Sequence, residues 1–175
     1  MKHSGKSHHG EVLGAALGYP FVDIDSVIQE LDAADTGTNR TVRRIYRDDG
    51  EARFRQLETA ACRLTAGRAG SLVVATGGGI CDNHEAMSIV SRATCVYIED
   101  SLERLTDRIL ASGIPAFLRT DDILVARERF AELFAHRTKC YRKVADVTVD
   151  VEGLSLEEAE NAVVEAVKEF VSGGK

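Results

Sequence analysis

The chain has 175 residues, 44% of them hydrophobic, enough for one well-formed core and too few for two full domains. Lys and Arg number 22 against 28 Asp and Glu, and the net charge of −6 argues against a general nucleic-acid binder, a role that asks for a basic face. No apolar run reaches the roughly 18 residues that cross a bilayer, and the start, Met1 to Lys6, lacks a signal peptide's apolar stretch. A cytoplasmic protein with no membrane partner is expected. Cys62, Cys81, Cys95 and Cys140 are far apart, with no C-x-x-C pair for zinc or redox work, and read as free thiols filling the core. No repeat or low-complexity tract marks a linker, and only Gly173-Gly174-Lys175 should fray.

In chain order, Val12, Leu13, Ala16 and Leu17 follow a helical period that stops at Gly18, a residue suited to a left-handed helix end. Phe21-Val22 reads as a short strand. Leu72-Val73-Val74-Ala75 is an unbroken apolar run ending in Gly77-Gly78-Gly79, and Thr94-Cys95-Val96-Tyr97-Ile98 is another ending at Glu99-Asp100. Both are expected to be parallel strands buried on two faces. A fourth strand, Val147-Thr148-Val149, precedes Ser155-Leu156-Glu157-Glu158, whose Ser and Glu spacing matches a capping box. The last helix carries its stripe at Ala159, Val163, Val167 and Phe170. Strands alternating with helices indicate βαβ units, a parallel sheet covered on both sides, and ligands at the carboxyl ends of the strands.

Ser4-Gly5-Lys6-Ser7 opening a helix matches the second half of the phosphate-loop motif G-x-x-x-x-G-K-[ST]. Loop and helix N–H groups would cradle phosphate oxygens, Lys6 would neutralise charge near the β and γ phosphates of ATP, and the Ser7 hydroxyl would ligate Mg²⁺. The rival reading of the tripeptide alone is a surface turn. His8 and His9 are expected to be exposed first-turn residues without chemistry. The motif's first glycine falls one place before Met1, so the chain is expected to lack the strand leading into the loop. Either the start is assigned too late or the ATP site is damaged. The first is favoured, because losing a central strand would leave ladder groups unpaired at about 1–3 kcal/mol each.

From Ser4 to Asp150 the motif order resembles the shikimate kinase family. Leu17-Gly18-Tyr19-Pro20-Phe21-Val22-Asp23-Ile24-Asp25 is similar to the family's L-G-x-x-F-x-D-x-D block. The resemblance implies Asp23 on the Mg²⁺ shell and Asp25 on substrate hydroxyls. Two carboxylates two apart at a strand end share a side and can serve one pocket; the alternative is a solvated turn capping the next helix. Asp49-Gly50-Glu51-Ala52-Arg53-Phe54-Arg55-Gln56-Leu57-Glu58 is similar to the family's G-E-x-x-F-R-x-x-E helix, which implies Arg55 as a carboxylate clamp; by helix spacing Glu58 is expected to orient Arg55 or a neighbour one turn away. Arg53, Arg47 and Arg44 read as surface charges. Gly77-Gly78-Gly79 matches the family's triple-glycine turn, where bare backbone approaches the substrate. Cys81, just beyond, reads as a packed thiol or a pocket neighbour. Arg137 to Asp146 resembles the family's R-x-x-x-Y-x-x-x-A-D block, with Arg137 as the second clamp. Arg108 aligns with the arginine packing on adenine, one residue short of the family's spacing to the lid, so a surface arginine is the alternative.

The resemblance implies a three-layer α/β/α P-loop kinase fold with a parallel sheet of order 2-3-1-4-5, the first central strand absent from this chain. It implies one domain over 1–175, with substrate-binding helices about 26–67 and a lid about 112–124. The implied activity is ATP-dependent phosphorylation of shikimate to shikimate 3-phosphate, with Mg²⁺, by a monomer. Lys6 and Asp25 would be catalytic. Ser4, Gly5, Lys6, Ser7 and Arg108 would bind nucleotide, Ser7 and Asp23 metal, and Asp25, Arg55, Gly77, Gly78, Gly79 and Arg137 the acceptor. One departure stands out. Where the family's lid carries a catalytic arginine, this chain reads Ile114-Pro115-Ala116-Phe117-Leu118, with Arg119 the candidate substitute. The competing readings are a kinase of another polyhydroxy acid and a non-catalytic nucleotide or metabolite binder.

Overall fold

A computed structural model of the protein describes residues 4–111, 114, 118 and 120–173. Four short strands fall on the four apolar runs: β1 (Phe21–Asp23), β2 (Val73–Ala75), β3 (Val96–Glu99) and β4 (Val147–Asp150). Around them lie α1 (Lys6–Leu17), α2 (Ile24–Thr36), α3 (Val42–Ala66), α4 (His84–Val90), α5 (Leu102–Ala111), α6 (Ile123–Val144) and α7 (Leu156–Gly173), with a 3₁₀ turn at Ile80–Asp82. No described helix is long and apolar enough to cross a membrane.

Both strand pairs are parallel. Phe21 stands opposite Val73 and Asp23 opposite Ala75, while Val96 faces Val147 and Glu99 faces Asp150. Among the described residues no strand joins the two pairs, so the expected sheet is present as two halves. β2 and β3 line one cavity of about 550 Å³. This corrects the expectation that both strands are buried on two faces: Val74 is 40% exposed and Val73, Val96 and Ile98 are half-buried. Without a described neighbour strand on that side, solvent reaches their apolar side chains. The main core lies instead among the helices, where Ile24, Ile28, Ile45, Leu105, Ile109 and Phe130 are sealed from water. A smaller cluster of Leu13, Val164 and Val167 ties α1 to α7, with Val73 and Val96 against it.

Local chemistry sets the helix ends. α1 closes at Gly18, whose N–H reaches back to Ala15 and Gly14 carbonyls. Asp23 caps α2 by accepting from the Asp25 N–H. At α7, Glu158 accepts from the Ser155 N–H (2.8 Å) and Ser155 Oγ from the Glu158 N–H (3.3 Å), the reciprocal pair that the spacing foretold. Ala159, Val163 and Val167 of its stripe are buried, but Phe170 is 43% exposed; Val164, one position round the helix, takes the contact with Leu13.

The expected acceptor helices correspond to α2 and α3. Gly50 breaks α3 with φ 83 and ψ 177, a backbone state essentially reserved for glycine, and so re-aims the half that carries Arg55 and Glu58. Arg40 fixes the break in place. Its guanidinium donates to buried Asp32 of α2 (2.8 and 2.6 Å) and to Asp49 (3.0 and 2.6 Å), the residue before Gly50. Of the expected lid span 112–124, residues 112, 113, 115–117 and 119 lie outside the described residues, and the candidate Arg119 is one of them. Ile114 packs against the core and Leu118 is buried.

Candidate active site

The site begins where α1 opens. Ser4 is buried, and Lys6 and Ser4 line the cavity between the strand pairs. Ser7 Oγ donates to Asp23 Oδ2 at 2.6 Å, and Asp23 Oδ1 accepts from the Asp25 N–H at 2.9 Å. The strand argument for Asp23 and Asp25 needs correction: β1 ends at Asp23 and α2 has begun at Ile24, so Asp25 is a first-turn helix residue. The Asp23 cap places it at the carboxyl end of β1. The capping alternative raised for this D-x-D pair is therefore realised alongside the contact with Ser7.

The triple-glycine turn forms the next wall. A Cβ on Gly77 would lie 3.1 Å from Glu58 Oε1 and 3.6 Å from Asp25 Oδ1, and one on Gly79 would lie 2.9 Å from Arg137 Nη2 and 3.6 Å from Arg55 Nη1. These glycines are needed for close approach. Arg55 Nη1 donates to the Gly79 carbonyl (2.9 Å) and to Glu58 Oε2 (3.2 Å), which bears out the reading of Glu58 as its orienting partner. Glu58 is wholly buried; Asn83 Nδ2 donates to the same Oε2 (3.0 Å) and to the Arg55 carbonyl (3.0 Å), while Oε1 has no partner. Tyr141 donates its hydroxyl to the Gly78 carbonyl at 2.9 Å, and burial raises its pKa. One helical turn earlier, Arg137 donates from Nε (3.1 Å) and Nη2 (2.6 Å) to Asp82 Oδ2, which also lies 3.7 Å from Arg55 Nη2. The two expected clamps therefore meet at one point. Cys81 is buried beside them, its thiol pushed up to about 12 by burial with Cys140 adding, as befits a packed thiol.

Arg108 faces a second cavity of about 270 Å³ that Ser4, Gly5, Asp100, Arg104 and Leu154 also line. Buried Asp100 holds it there, with Arg108 Nη1 at 3.0 Å and Arg104 Nη1 at 3.5 Å. Arg44 and Arg47 are exposed, as read, and Arg53 is partly so. His8 is half exposed and meets Glu160 at 2.5 Å, but His9 is buried, contrary to expectation. It sits under the turn, where a Cβ on Gly5 would touch its ring at 3.1 Å; burial lowers its pKa and Nδ1 has no partner.

Sequence reasoning missed Asp82, Asn83 and His9. Asn83 carries a readable signal, since it caps α4 by accepting from the Ala86 N–H (3.2 Å). Asp82 carries none, because its partners lie on helices far away in the chain.

A parallel α/β frame with a G-K-S turn opening a helix at the strand ends defines the class: a P-loop small-molecule kinase fold. The sequence model for "Shikimate kinase" matches residues 2–168. A shikimate kinase of Prochlorococcus marinus (strain MIT 9313) is 36% identical over 152 residues, 86% of this chain and 73% of the relative. One of Persephonella marina is 30% identical over 166 residues, 94% and 93% of the two chains. The solved shikimate kinase of Acinetobacter baumannii in complex with shikimate superposes with TM-score 0.78 at 25% identity, covering 98% of this chain and 89% of that one. That of Aquifex aeolicus vf5 gives 0.77 at 29%, covering 99% and 96%. The chain belongs to the shikimate kinase family.

Proposed function

We propose that this chain, working as a single-domain monomer, transfers the γ-phosphoryl group of ATP to the 3-hydroxyl of shikimate. The observation that carries the reading is a continuous line of neighbouring groups, joined by hydrogen bonds or by glycines whose added Cβ would reach the next side chain. It runs from Ser7 through Asp23 and Asp25 to Gly77 and Glu58, and on to Arg55, Gly79 and Arg137. Nucleotide chemistry at one end therefore adjoins paired guanidinium groups at the other. The family match and the Acinetobacter neighbour solved with shikimate support the choice of acceptor.

In this reading Lys6 and the N–H groups of the Gly5 turn hold the triphosphate, and Arg108, held by Asp100, borders the nucleobase. Arg55 and Arg137 hold the acceptor carboxylate, each fork giving two parallel N–H bonds. Asp25, at the Gly77 wall, accepts the proton of the attacking hydroxyl. Transfer is then mainly positioning and charge stabilisation. Mg²⁺ fits the residues present: Ser7 Oγ and Asp23 Oδ2, in contact at 2.6 Å, are hard oxygen donors. No cluster of three or more His, Cys, Asp or Glu suited to a metal occurs among the described residues. That suits an ion held by one or two protein oxygens together with phosphates and water. When bound it would neutralise phosphate charge.

Arg55→Ala and Arg137→Ala test the assignment. Each is expected to raise KM for shikimate by roughly 30-fold or more, on the scale of a lost charge-assisted bond, with KM for ATP within twofold of the parent. A rise confined to ATP would remove the arginines from the acceptor site.

A further inference from the structure

The point where the two clamps meet is already filled. Asp82 Oδ2 takes both Arg137 bonds, at 3.1 and 2.6 Å, and lies 3.7 Å from Arg55 Nη2. It is the carboxylate that Arg137 pairs with among the described residues, whereas Arg55 also has Glu58 (3.2 Å) and Glu51 (3.5 Å). The other oxygen, Oδ1, faces solvent-exposed His136 Nε2 at 3.5 Å. Asp82 ends the short turn Ile80–Asp82 directly after the glycines, and its side chain retains 22% of its exposure while that of Arg137 retains 10%. The carboxylate thus stands at the rim of the site with a route outward, and the guanidinium it blocks stands inside.

We propose that Asp82 is a specificity-determining residue: an internal carboxylate that occupies the acceptor's anion subsite between Arg55 and Arg137 and must leave Arg137 before an acceptor carboxylate can bind. The inference rests on the reading that these arginines hold the acceptor's acid group. An entering anion exchanges one carboxylate on Arg137 for another and gains only the difference between them. A resident negative charge also repels the ligand's charge at close range. The preference for acidic over neutral acceptors is therefore weaker than the two guanidinium groups alone would give, and the charge of Asp82 sets it. A counter-ion that merely holds Arg137 in place would act in the opposite sense, since its loss would weaken acceptor binding.

The test is isothermal titration calorimetry on the full chain, comparing parent and Asp82→Asn with shikimate and with its uncharged carboxamide. Asp82→Asn is expected to bind shikimate at least about fivefold more tightly, from removal of one like charge near 4 Å, with the carboxamide Kd within twofold of the parent. Equal or weaker binding of shikimate by the variant overturns the proposal, as does an equal gain for both ligands or failure of shikimate to bind either protein. Asp82→Ser provides the same comparison if the amide variant does not fold; loss of fold in both makes Asp82 a structural counter-ion and also overturns it. ADP release measured on the same preparations separates this inference from the proposed reaction. A parent protein that shows the binding contrast and no turnover counts against the reaction alone.

Discussion

Gly79→Ala is the substitution for which the structure gives the sharpest expectation. The added methyl would lie 2.9 Å from Arg137 Nη2 and 3.6 Å from Arg55 Nη1, where ordinary contact begins at 3.4 Å. The first distance must open by about half an ångström, and Arg137 cannot shift without disturbing the bonds that its Nε and Nη2 make to Asp82 at 3.1 and 2.6 Å. A misplacement of about 1 Å costs roughly 100-fold in a positioned reaction, so about half that displacement should cost on the order of tenfold. The rise should fall on KM for shikimate, with KM for ATP within twofold, in a steady-state assay of ADP release. Overpacking should lower stability by about 1 kcal/mol and Tm by about 2–4 °C, so the loss will not come from unfolding. Gly77→Ala, whose nearest atom is Glu58 Oε1 at 3.1 Å, should leave that KM closer to the parent value. An unchanged shikimate KM in Gly79→Ala would refute the placement of Arg137 in the acceptor site.

Three further expectations concern the rest of the site. Lys6→Ala should lower kcat by about 10²–10³-fold, the scale of one lost preorganised donor, while shikimate binding by calorimetry stays within twofold; equal loss of both would argue for a folding defect. Glu58→Gln replaces a fully buried carboxylate that accepts from Arg55 (3.2 Å) and Asn83 (3.0 Å), and should cost about 2 kcal/mol, seen as a Tm roughly 4–8 °C lower; an unchanged Tm would contradict the role given to Glu58. Burial, with His8 and Arg108 adding, lowers the pKa of His9 below its ordinary value of 6.5. The unfolded chain then binds the proton more readily, so stability is complete above about pH 6.5 and falls as pH drops below it toward the folded-state value. Urea midpoints between pH 7.5 and 5.5 should decline in the parent and stay flatter in His9→Asn; identical slopes would refute the assignment.

The elements that could be read from the chain alone are those whose signal is local. Leu72–Ala75 and Thr94–Ile98 stand out because burial in a parallel sheet asks for consecutive apolar residues, and the Ser155–Glu158 pair because a cap is written within one turn. Arg55, Glu58 and Arg137 could be placed through a family resemblance, and the structure brings them to one wall. What escaped depends on packing between distant segments. Nothing near Asp82 in the chain tells that Arg137, 55 residues on, donates to it. Nothing in His8-His9 tells which ring turns inward; that follows from the direction in which α1 packs against α7 through Leu13 and Val164. The apolar runs of β2 and β3 report what a strand can bury and not which neighbours lie beside it; the exposure of Val74 and half-burial of Val73 and Val96 go instead with the expected absence of the strand leading into the loop. The strand geometry read for Asp25 fails, since the Asp23 cap starts α2 within the D-x-D pair and makes Asp25 a first-turn helix residue.

Shikimate as the phosphoryl acceptor is tested by ADP release from the full chain with ATP and Mg²⁺, measured with and without shikimate. Slow release is expected without the acid and saturable stimulation with it, one ADP formed for each phosphate ester. Release that shikimate leaves unchanged would contradict it.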